Sequence, residues 1–246
     1  MKNIIIILII FLSNSTLFAS VKEAETLYTN GDYDKALELY KKVIANGEES
    51  SVLYYNIGNC YYKLGQNTKA IIFYERALLL NPNDEALNYN LSLANRNIVD
   101  KLDVIPEIFF VRWYKSFVSL FSADQWAYIC SALFIALLVL LLIFFYSNIV
   151  WLKKLSFYKA ILCFLFVICT FVFAYQQNAK IKNREFAIIS APSVTVKGSP
   201  DVSGTDLFLI HEGLKVKIVD ELGTWYNIVL LNGNEGWVSQ KSLERI

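Results

Sequence analysis

The side chains that could carry out chemistry in this 246-residue chain are few. His211 is the only histidine, so a two-histidine metal site or a histidine-paired nucleophile would lack its second imidazole. Cys130, Cys163 and Cys169 lie in strongly apolar segments and Cys60 stands outside them, so we expect no disulfide. There is no glycine loop of the phosphate-binding type, and the net charge of +1 gives no support for nucleic-acid binding. The sequence therefore predicts a protein that is not an enzyme and uses no metal or cofactor.

The N-terminal part of the chain carries an internal repeat with a period of 34 residues. When residues 51–84 are shifted back by this period, Ala70 falls on Ala36 and Tyr74 falls on Tyr40. Small residues and tyrosines at fixed positions of such a period resemble the tetratricopeptide repeat (TPR), a helix–turn–helix unit. The resemblance implies stacked helical hairpins that present a concave surface to another polypeptide.

Two repeats and a capping helix follow from this resemblance, at residues 21–50, 51–84 and 85–99 of a TPR region that covers 21–99. Gly58, Ala70 and Ala77 are expected where helices approach closely, because a larger side chain would force the helices apart. Gly31 and Gly65 are expected in the turns, where glycine adopts a left-handed backbone easily.

The inner wall of a TPR array is built from first-helix positions that point away from the paired second helix. On the 34-residue frame these positions are Tyr55, Asn59, Tyr62, Lys63, Tyr89, Leu93 and Arg96. The aromatic rings offer apolar anchors, and Lys63 with Arg96 could meet a carboxylate of a bound polypeptide. The alternative is that the tyrosines complete the core of the repeats, as TPR consensus tyrosines often do.

Hydrophobic residues make up 55% of the chain and concentrate in three apolar segments. The first, at residues 1–20, has Lys2 before an apolar run and ends in small residues, which is typical of a signal peptide. An uncleaved N-terminal anchor is the alternative. The other two segments predict transmembrane helices at residues 126–147 and 160–176, joined by a cytoplasmic loop at 148–159. Here the alternative is a buried hairpin of a soluble protein.

Residues 100–125 form the predicted linker before the first span. Phe110, Trp113 and Phe117 recur at helical spacing between polar residues, which favours a helix lying in the membrane interface. Packing of this helix on the spans is the alternative. The serine and glutamine at the ends of residues 122–125 predict a capping box that opens the first span.

Beyond the second span, β-branched residues occur in short alternating runs. Within residues 185–246, runs such as Val194–Val196 and a hairpin signal at Asn232–Asn234 predict a small β-barrel. The segments His211–Val216 and Trp225–Val238 are similar to strand elements of bacterial SH3 domains. Members of that group bind cell-wall peptides or protein segments, and the resemblance implies a ligand of this kind.

Two tryptophans of the C-terminal segment could serve either packing or ligand binding, because an indole combines a large apolar area with one donor. We expect Trp225 to face a ligand with Tyr226 beside it. We expect Trp237 to lie in the core of the barrel.

The fold class predicted from these segments is a multidomain membrane protein with all-α TPR hairpins, two transmembrane helices and an all-β SH3-like barrel. With a signal peptide, this architecture resembles the TPR-containing, BatE-like proteins of the bacterial aerotolerance (Bat) family. The resemblance implies a multi-pass protein of the bacterial inner (cytoplasmic) membrane, with both soluble domains on the periplasmic side. It also implies partners among envelope proteins, including Bat proteins with von Willebrand A domains.

The leading functional hypothesis is a non-enzymatic scaffold that assembles envelope proteins through its TPR and SH3-like domains. Binding of peptidoglycan peptides is one alternative, and regulation of an envelope enzyme is another. The family's link to aerotolerance leaves a redox role for Cys60 as a further alternative, although a buried thiol is usually inert.

Overall fold

The computed structural model describes residues 20–102, 106 and 108–246, which divide into two compact units. One unit combines the N-terminal helices with the C-terminal segment Arg184–Ile246. The other combines Pro106–Asn183 with the short segment Leu80–Asn83. Apart from Ser20, the predicted signal peptide lies outside the described residues.

Five helices form the N-terminal part of the first unit. They are α1 at residues 20–29, α2 Tyr33–Ala45, α3 Ser51–Lys63, α4 Asn67–Leu80 and α5 Glu85–Asn95. A side-chain cap opens α3, where Ser50 Oγ accepts a hydrogen bond from the Leu53 N–H at 3.1 Å. Gly31 and Gly65 lie in the turns of the two hairpins with φ of +87° and +73°, as predicted. The helices therefore follow the 34-residue period as two hairpins and a fifth helix.

Small residues set the spacing between the paired helices. A Cβ added to Gly58 of α3 would lie 2.5 Å from the Tyr74 ring of α4, closer than van der Waals contact allows. Ala70 and Ala77 of α4 are completely buried. These contacts confirm the close approach expected from the sequence, and the ring of Tyr74 fills the space that the small residues leave.

The C-terminal segment forms a seven-stranded antiparallel sheet with the order β3-β2-β6-β5-β4-β1-β7. The strands are β1 Phe186–Ile189, β2 Ser193–Lys197, β3 Asp206–His211, β4 Lys215–Leu222, β5 Trp225–Val229, β6 Glu235–Ser239 and β7 Leu243–Arg245. All seven strands contribute to one buried cluster, in which Val196, Val216 and Ile228 are almost inaccessible to solvent. Gly233 has a φ of +83° in the turn between β5 and β6, which fits the predicted hairpin.

β3 and β7 lie at the two ends of the strand order, and the sequence pattern indicates neither of them. β3 buries only Ile210, while Leu207 and Leu209 are about half exposed, so the strand lacks apolar alternation. β7 has three residues, which is too short for a periodic signal. Each of the two strands follows from its pairing with a neighbour and not from its own sequence pattern: β3 pairs with β2, and β7 pairs with β1.

The sheet packs against the TPR helices at a very close contact. Gly213, between β3 and β4, has a φ of +87°. A Cβ added there would lie 2.6 Å from Ile98 Cγ2 and 3.5 Å from Ile71 Cδ1. Leu102, in the segment after α5, packs against the buried cluster of the sheet. Position 213 therefore requires glycine for its backbone conformation and for the space that Ile98 occupies.

Charged side chains of α4 bind the sheet directly. Lys215 Nζ donates to Glu75 Oε2 at 2.6 Å. Arg76 Nη2 donates to Glu244 Oε1 and to the carbonyl oxygen of Arg245, both at 2.9 Å. The Glu75 side chain is only 11% exposed, so its charge depends on the lysine for compensation.

The second unit consists of α6 Phe109–Val118, α7 Ala123–Tyr146 and α8 Val150–Asn183. The predicted capping box opens α7, since Ser122 Oγ accepts from the Gln125 N–H and Gln125 Oε1 accepts from the Ser122 N–H. By length and composition, α7 and α8 are long and apolar enough to cross a membrane.

The prediction of a loop at residues 148–159 is wrong in its extent. α8 begins at Val150 and continues past the predicted end at residue 176 to Asn183, so only residues 147–149 connect α7 to α8. The lysines of this segment interrupt the apolar run without interrupting the helix, because lysine is a good helix former. Hydropathy thus marks the apolar stretch and not the ends of the helix.

α6 packs on the neighbouring helices, as one interpretation of the linker expects, and leaves some of its aromatic residues exposed. Phe117 packs against Trp126 of α7 and Phe173 of α8, with ring centroids 6.0 and 5.8 Å apart. Phe109 and Trp113 remain largely exposed, at 74% and 71%. The helix therefore packs on α7 and α8 and also presents an aromatic surface.

The ion pair between Glu75 and Lys215 gives a test of the contact between α4 and the sheet. Lys215→Met keeps the apolar stem but leaves a buried carboxylate without its cation, which should cost about 1–3 kcal/mol in the free energy of local opening. We expect faster hydrogen–deuterium exchange in α4 and β4, measured by mass spectrometry on the full chain in detergent.

Lys217→Met is the matched control on the same strand. Lys217 lies 3.4 Å from Glu185, and both side chains are about half exposed, so this change should have little effect. Equal exchange in the two variants would show that the Glu75 ion pair does not hold the contact.

Candidate functional site

An open cavity of about 280 Å³ lies on the concave side of the TPR helices. Its lining residues are Tyr28 of α1, Tyr55, Asn59, Tyr62 and Lys63 of α3, Tyr74 of α4, and Asn90 and Leu93 of α5. The α3 residues follow the spacing i, i+4, i+7 and i+8, which places them on one face of the helix. First helices of the hairpins therefore supply most of the wall, as expected for a TPR array.

A chain of hydrogen bonds crosses the floor of the cavity. Tyr74 Oη donates to Asn59 Oδ1 at 2.8 Å, and Asn90 Nδ2 donates to the same oxygen at 3.0 Å. Asn90 Nδ2 also donates to Tyr55 Oη at 3.0 Å. These bonds join α3, α4 and α5, so the position of each polar group in the cavity is fixed by the others.

Five of the seven residues predicted for the groove line this cavity. Tyr89 and Arg96 do not, and Tyr89 is 62% exposed. The frame of 34 residues could have identified Tyr28, which occupies the position of Tyr62 one repeat earlier. The same frame could not have identified Asn90, because it predicts Tyr89 at this place in the wall, whereas in α5 the neighbouring Asn90 lines the cavity.

The cavity combines neutral hydroxyl groups with one positive charge. Burial raises the pKa of Tyr74 above its ordinary value, and neighbouring tyrosines raise it further. Burial likewise raises the pKa of Tyr28. Both hydroxyls therefore stay protonated near neutral pH, and among the described residues Lys63 is the only charged side chain in the lining. The described lining of the site suits a neutral or acidic ligand.

The assignment of Trp237 to the core is wrong. Gly236 and Val238 of β6 are buried, and alternate residues of a strand point to opposite faces, so Trp237 lies on the face away from the core. Its cross-strand partner is Asn227, two residues from Trp225 on β5, so both tryptophans share that face. Both indoles are half-buried.

Tyr226 does not lie beside Trp225 on one surface. Its ring packs against the buried cluster of the sheet, and the guanidinium of Arg245 lies 4.5 Å from the ring centroid. Tyr226 thus supports the sheet, whereas the half-buried Trp225 and Trp237 lie on the opposite face.

His211 has a structural contact at the end of β3. Asp100 Oδ2 accepts from the His211 backbone N–H at 2.5 Å, and Asp100 Oδ1 lies 3.0 Å from His211 Nδ1.

A second cavity, of about 350 Å³, lies between the start of α4 and the sheet. Thr68 Oγ1 already donates to Glu212 Oε2 at 2.6 Å there, so this cavity is crossed by an internal bond.

Cys60 is fully buried in α3. Burial, and to a smaller extent the charge of Asp34, raises the pKa of the Cys60 thiol to about 11. Within the part of the chain that the structure describes, no group of three His, Cys, Asp or Glu side chains could hold a metal ion. The structure thus gives no positive indication of catalysis at the concave cavity.

Comparison with known proteins identifies the helical repeats. Tetratricopeptide repeat family models match residues 51–84 and 18–46. The chain is 33% identical over 71 residues to tetratricopeptide repeat protein 16 of Homo sapiens, which covers 29% of this chain and 8% of that protein. It is 39% identical over 69 residues to BBSome complex member BBS4 of Bos taurus, which covers 28% of this chain and 13% of that protein.

The chain thus spans about a tenth of the length of these relatives. The two family models confirm that the chain contains two TPR repeats, a type of domain that mediates protein–protein interaction and is typically non-enzymatic.

The burial of Cys60 predicts an unreactive thiol. At pH 8, a pKa raised from 9.0 to about 11 lowers the thiolate fraction roughly 100-fold, and the sulfur is not exposed. We expect iodoacetamide to alkylate Cys60 at least 100-fold more slowly in the native chain than in urea, as measured by peptide mass spectrometry. Equal rates in the two states would restore the redox alternative.

Proposed function

We propose that this chain is a non-enzymatic, membrane-anchored scaffold whose TPR cavity captures a segment of another envelope protein. The observation that carries the proposal is the open cavity on the concave face, which is lined by aromatic rings, two amides and Lys63. Such a surface has the apolar anchors and the few oriented polar groups that polypeptide recognition needs.

Membrane anchoring is supported by α7 and α8, which by length and composition are long and apolar enough to cross the hydrocarbon. The exposed aromatic residues of α6 suit the interface between lipid and water. We place the protein in the bacterial inner membrane with both soluble parts in the periplasm. The close packing of the TPR helices against the sheet supports this arrangement, because parts in contact must lie on the same side of the membrane.

We further propose that the chain is a BatE-like member of the Bat family and that its sheet is an SH3-like barrel. The support is the order of TPR hairpins, two apolar helices and a small antiparallel sheet with one shared core. On this proposal the captured segment belongs to an envelope partner, and Bat proteins with von Willebrand A domains are the first candidates.

Binding of peptidoglycan peptides is a second candidate function. The specific observation in its favour is that the half-buried Trp225 and Trp237 lie on the same face of β5 and β6, away from the core. Indoles offer flat apolar contact with little loss of conformational entropy on binding. Sedimentation of the full chain with purified sacculi, lost in Trp225→Ala, would favour this candidate.

The groove proposal predicts the behaviour of a matched pair of double variants. Tyr62→Ala with Lys63→Ala removes a ring and a cation from the cavity, whereas Tyr89→Ala with Arg96→Ala removes the same groups outside it. After crosslinking in native membranes, we expect the first variant to lose its co-purified envelope protein and the second to keep it. Protection of Cys60 from alkylation reports whether each variant is folded. Retention of the partner by both folded variants would refute the groove as the binding site.

The proposed orientation predicts the activity of reporter fusions. Alkaline phosphatase, which is active only outside the cytoplasm, should be active when fused after Val99 or Ile246 and inactive when fused after Lys154. A fluorescent protein that matures only in the cytoplasm should give the opposite pattern. Phosphatase activity at Lys154 would overturn the orientation.

A further inference from the structure

We propose that Arg112, Lys115 and Lys180 form a site for the headgroup of an anionic phospholipid, whose acyl chains contact the exposed aromatic rings of α6. The inference rests on the membrane anchoring in the proposed function, and it names the class of lipid that this end of the helices recognises. The aromatic rings alone would suit the interface of any bilayer, whereas the cations add a preference for negative charge.

The second unit carries a large excess of positive charge. Residues 108–183 contain seven lysines and arginines but only one acidic residue, Asp124. Asp124 lies in the first turn of α7, where the N-terminal end of a helix favours a negative charge. An anionic group bound from outside these helices would therefore reduce the repulsion among their cations.

The cations of α8 fall into two groups at opposite ends of the helix. Lys153, Lys154 and Lys159 lie near its start, and Lys180 and Lys182 lie near its end. In the proposed orientation the first group faces the cytoplasm, where the positive-inside rule accounts for it. The second group lies on the periplasmic side, where that rule gives no reason for positive charge. The cations at this end therefore need a different explanation.

Polar bonds hold α6 against the end of α8. Tyr114 Oη donates to Gln176 Oε1 at 2.9 Å. The buried Gln177 donates through Nε2 to the carbonyl oxygens of Val118 and Phe121, at 3.2 and 3.1 Å. Together with the aromatic contacts between the helices, these bonds fix the position of α6 relative to the last turns of α8.

This packing brings cations of the two helices together. Lys180 lies one turn beyond Gln177 on the same side of α8, and Lys115 follows Tyr114 on α6. The two lysines are close enough for their charges to interact. Arg112 precedes Lys115 by three residues and shares its side of α6. All three cations therefore lie on one side of the junction between α6 and α8.

Exposed aromatic rings lie on the adjoining side of α6. Phe109, Phe110 and Trp113 are 74%, 56% and 71% exposed. At about 100° per residue, Phe109 and Trp113 lie next to Arg112 around the helix, away from the buried Val118. A lipid at this surface can place its acyl chains against the rings while its headgroup meets the cations.

The chemistry of the cations selects among headgroups. Arginine and lysine bind phosphate oxygens through charge-assisted hydrogen bonds. A zwitterionic headgroup also carries an ammonium group, which would meet the three protein cations, whereas phosphatidylglycerol has a negative charge and no cation. Free phosphate has no acyl chain for the rings to contact. The site therefore fits an anionic phospholipid better than either alternative.

The test uses phosphatidylcholine nanodiscs that hold the full chain and a small amount of photoactivatable lipid. This lipid is either phosphatidylglycerol or phosphatidylcholine with the same diazirine-bearing acyl chains, and labelled peptides are quantified by mass spectrometry. We expect phosphatidylglycerol to label peptides of α6 about tenfold more than phosphatidylcholine does, because each cation near the surface attracts anionic lipid. Soluble glycerol phosphate in excess should not reduce this labelling.

Matched variants locate the effect. Lys115→Gln with Lys180→Gln should lower the labelling of α6 by phosphatidylglycerol to the level of phosphatidylcholine. Lys115→Arg with Lys180→Arg keeps both charges and should retain the labelling, which separates loss of charge from loss of packing. Lys22→Gln with Lys42→Gln removes two exposed lysines of α1 and α2 and should label like the parent chain. Labelling of residues 151–159 should be the same in all variants.

The possible results separate this inference from the proposed function. Equal labelling of α6 by the two lipids, or by the glutamine variant and the parent chain, would overturn the lipid preference and leave membrane anchoring intact. Displacement by glycerol phosphate would show that the cations bind the free anion, which also contradicts the inference. If neither lipid labels α7 or α8, the result would count against membrane anchoring and therefore against the proposed function itself.

Discussion

The first unit depends on the contact where Gly213 meets Ile98 and Ile71. Two hairpins and one further helix fall short of the roughly three repeats that a TPR array needs to be stable alone. The sheet supplies a packing neighbour that a longer array would obtain from its next repeat. The ion pair between Glu75 and Lys215 then fixes the orientation of the two parts, since the Glu75 carboxylate, whose side chain is only 11% exposed, would be costly to leave unpaired.

This contact explains why α4 is buried on two sides. Tyr74, with the alanines before and after it, packs into the hairpin. Ile71 and Glu75, on a different side of the helix, meet the sheet. The cavity lies on the side of the first helices, so contact with the sheet leaves it open. The array can therefore be stabilised by the sheet and bind a partner at the same time.

The sequence predicts the helices well because their signal is local and repeated. Small residues at a fixed period identify the hairpins, and Gly58 against Tyr74 shows the packing that the period implies. The groove is predicted less completely, because the period places Tyr89 where α5 actually presents Asn90. A shift of one residue on a helix turns a side chain by about 100°, so a weak repeat cannot decide which neighbour faces inward.

The sheet shows a different limit of sequence reasoning. The alternation along β6 predicts that Trp237 and Val238 face opposite sides, but not which side becomes the core. That choice follows from Val196 and Ile228 on neighbouring strands, which join Val238 in the buried cluster. The pairing of Glu75 with Lys215 had no local signal at all, because each looks like an ordinary surface charge in its own segment.

The distance along the chain between the contacting parts has a consequence for assembly. The bonds that join α4 to the sheet connect residues 140 to 169 positions apart, and α6, α7 and α8 lie between them. Contacts of such separation form late in folding, because the long intervening loop must be closed first. If α7 and α8 insert in a membrane as proposed, the sheet can reach α4 only after both helices have crossed. The TPR helices then acquire their full stability only in a chain that has been completely synthesised and inserted. In a truncated product, the helices that line the cavity would be less stable.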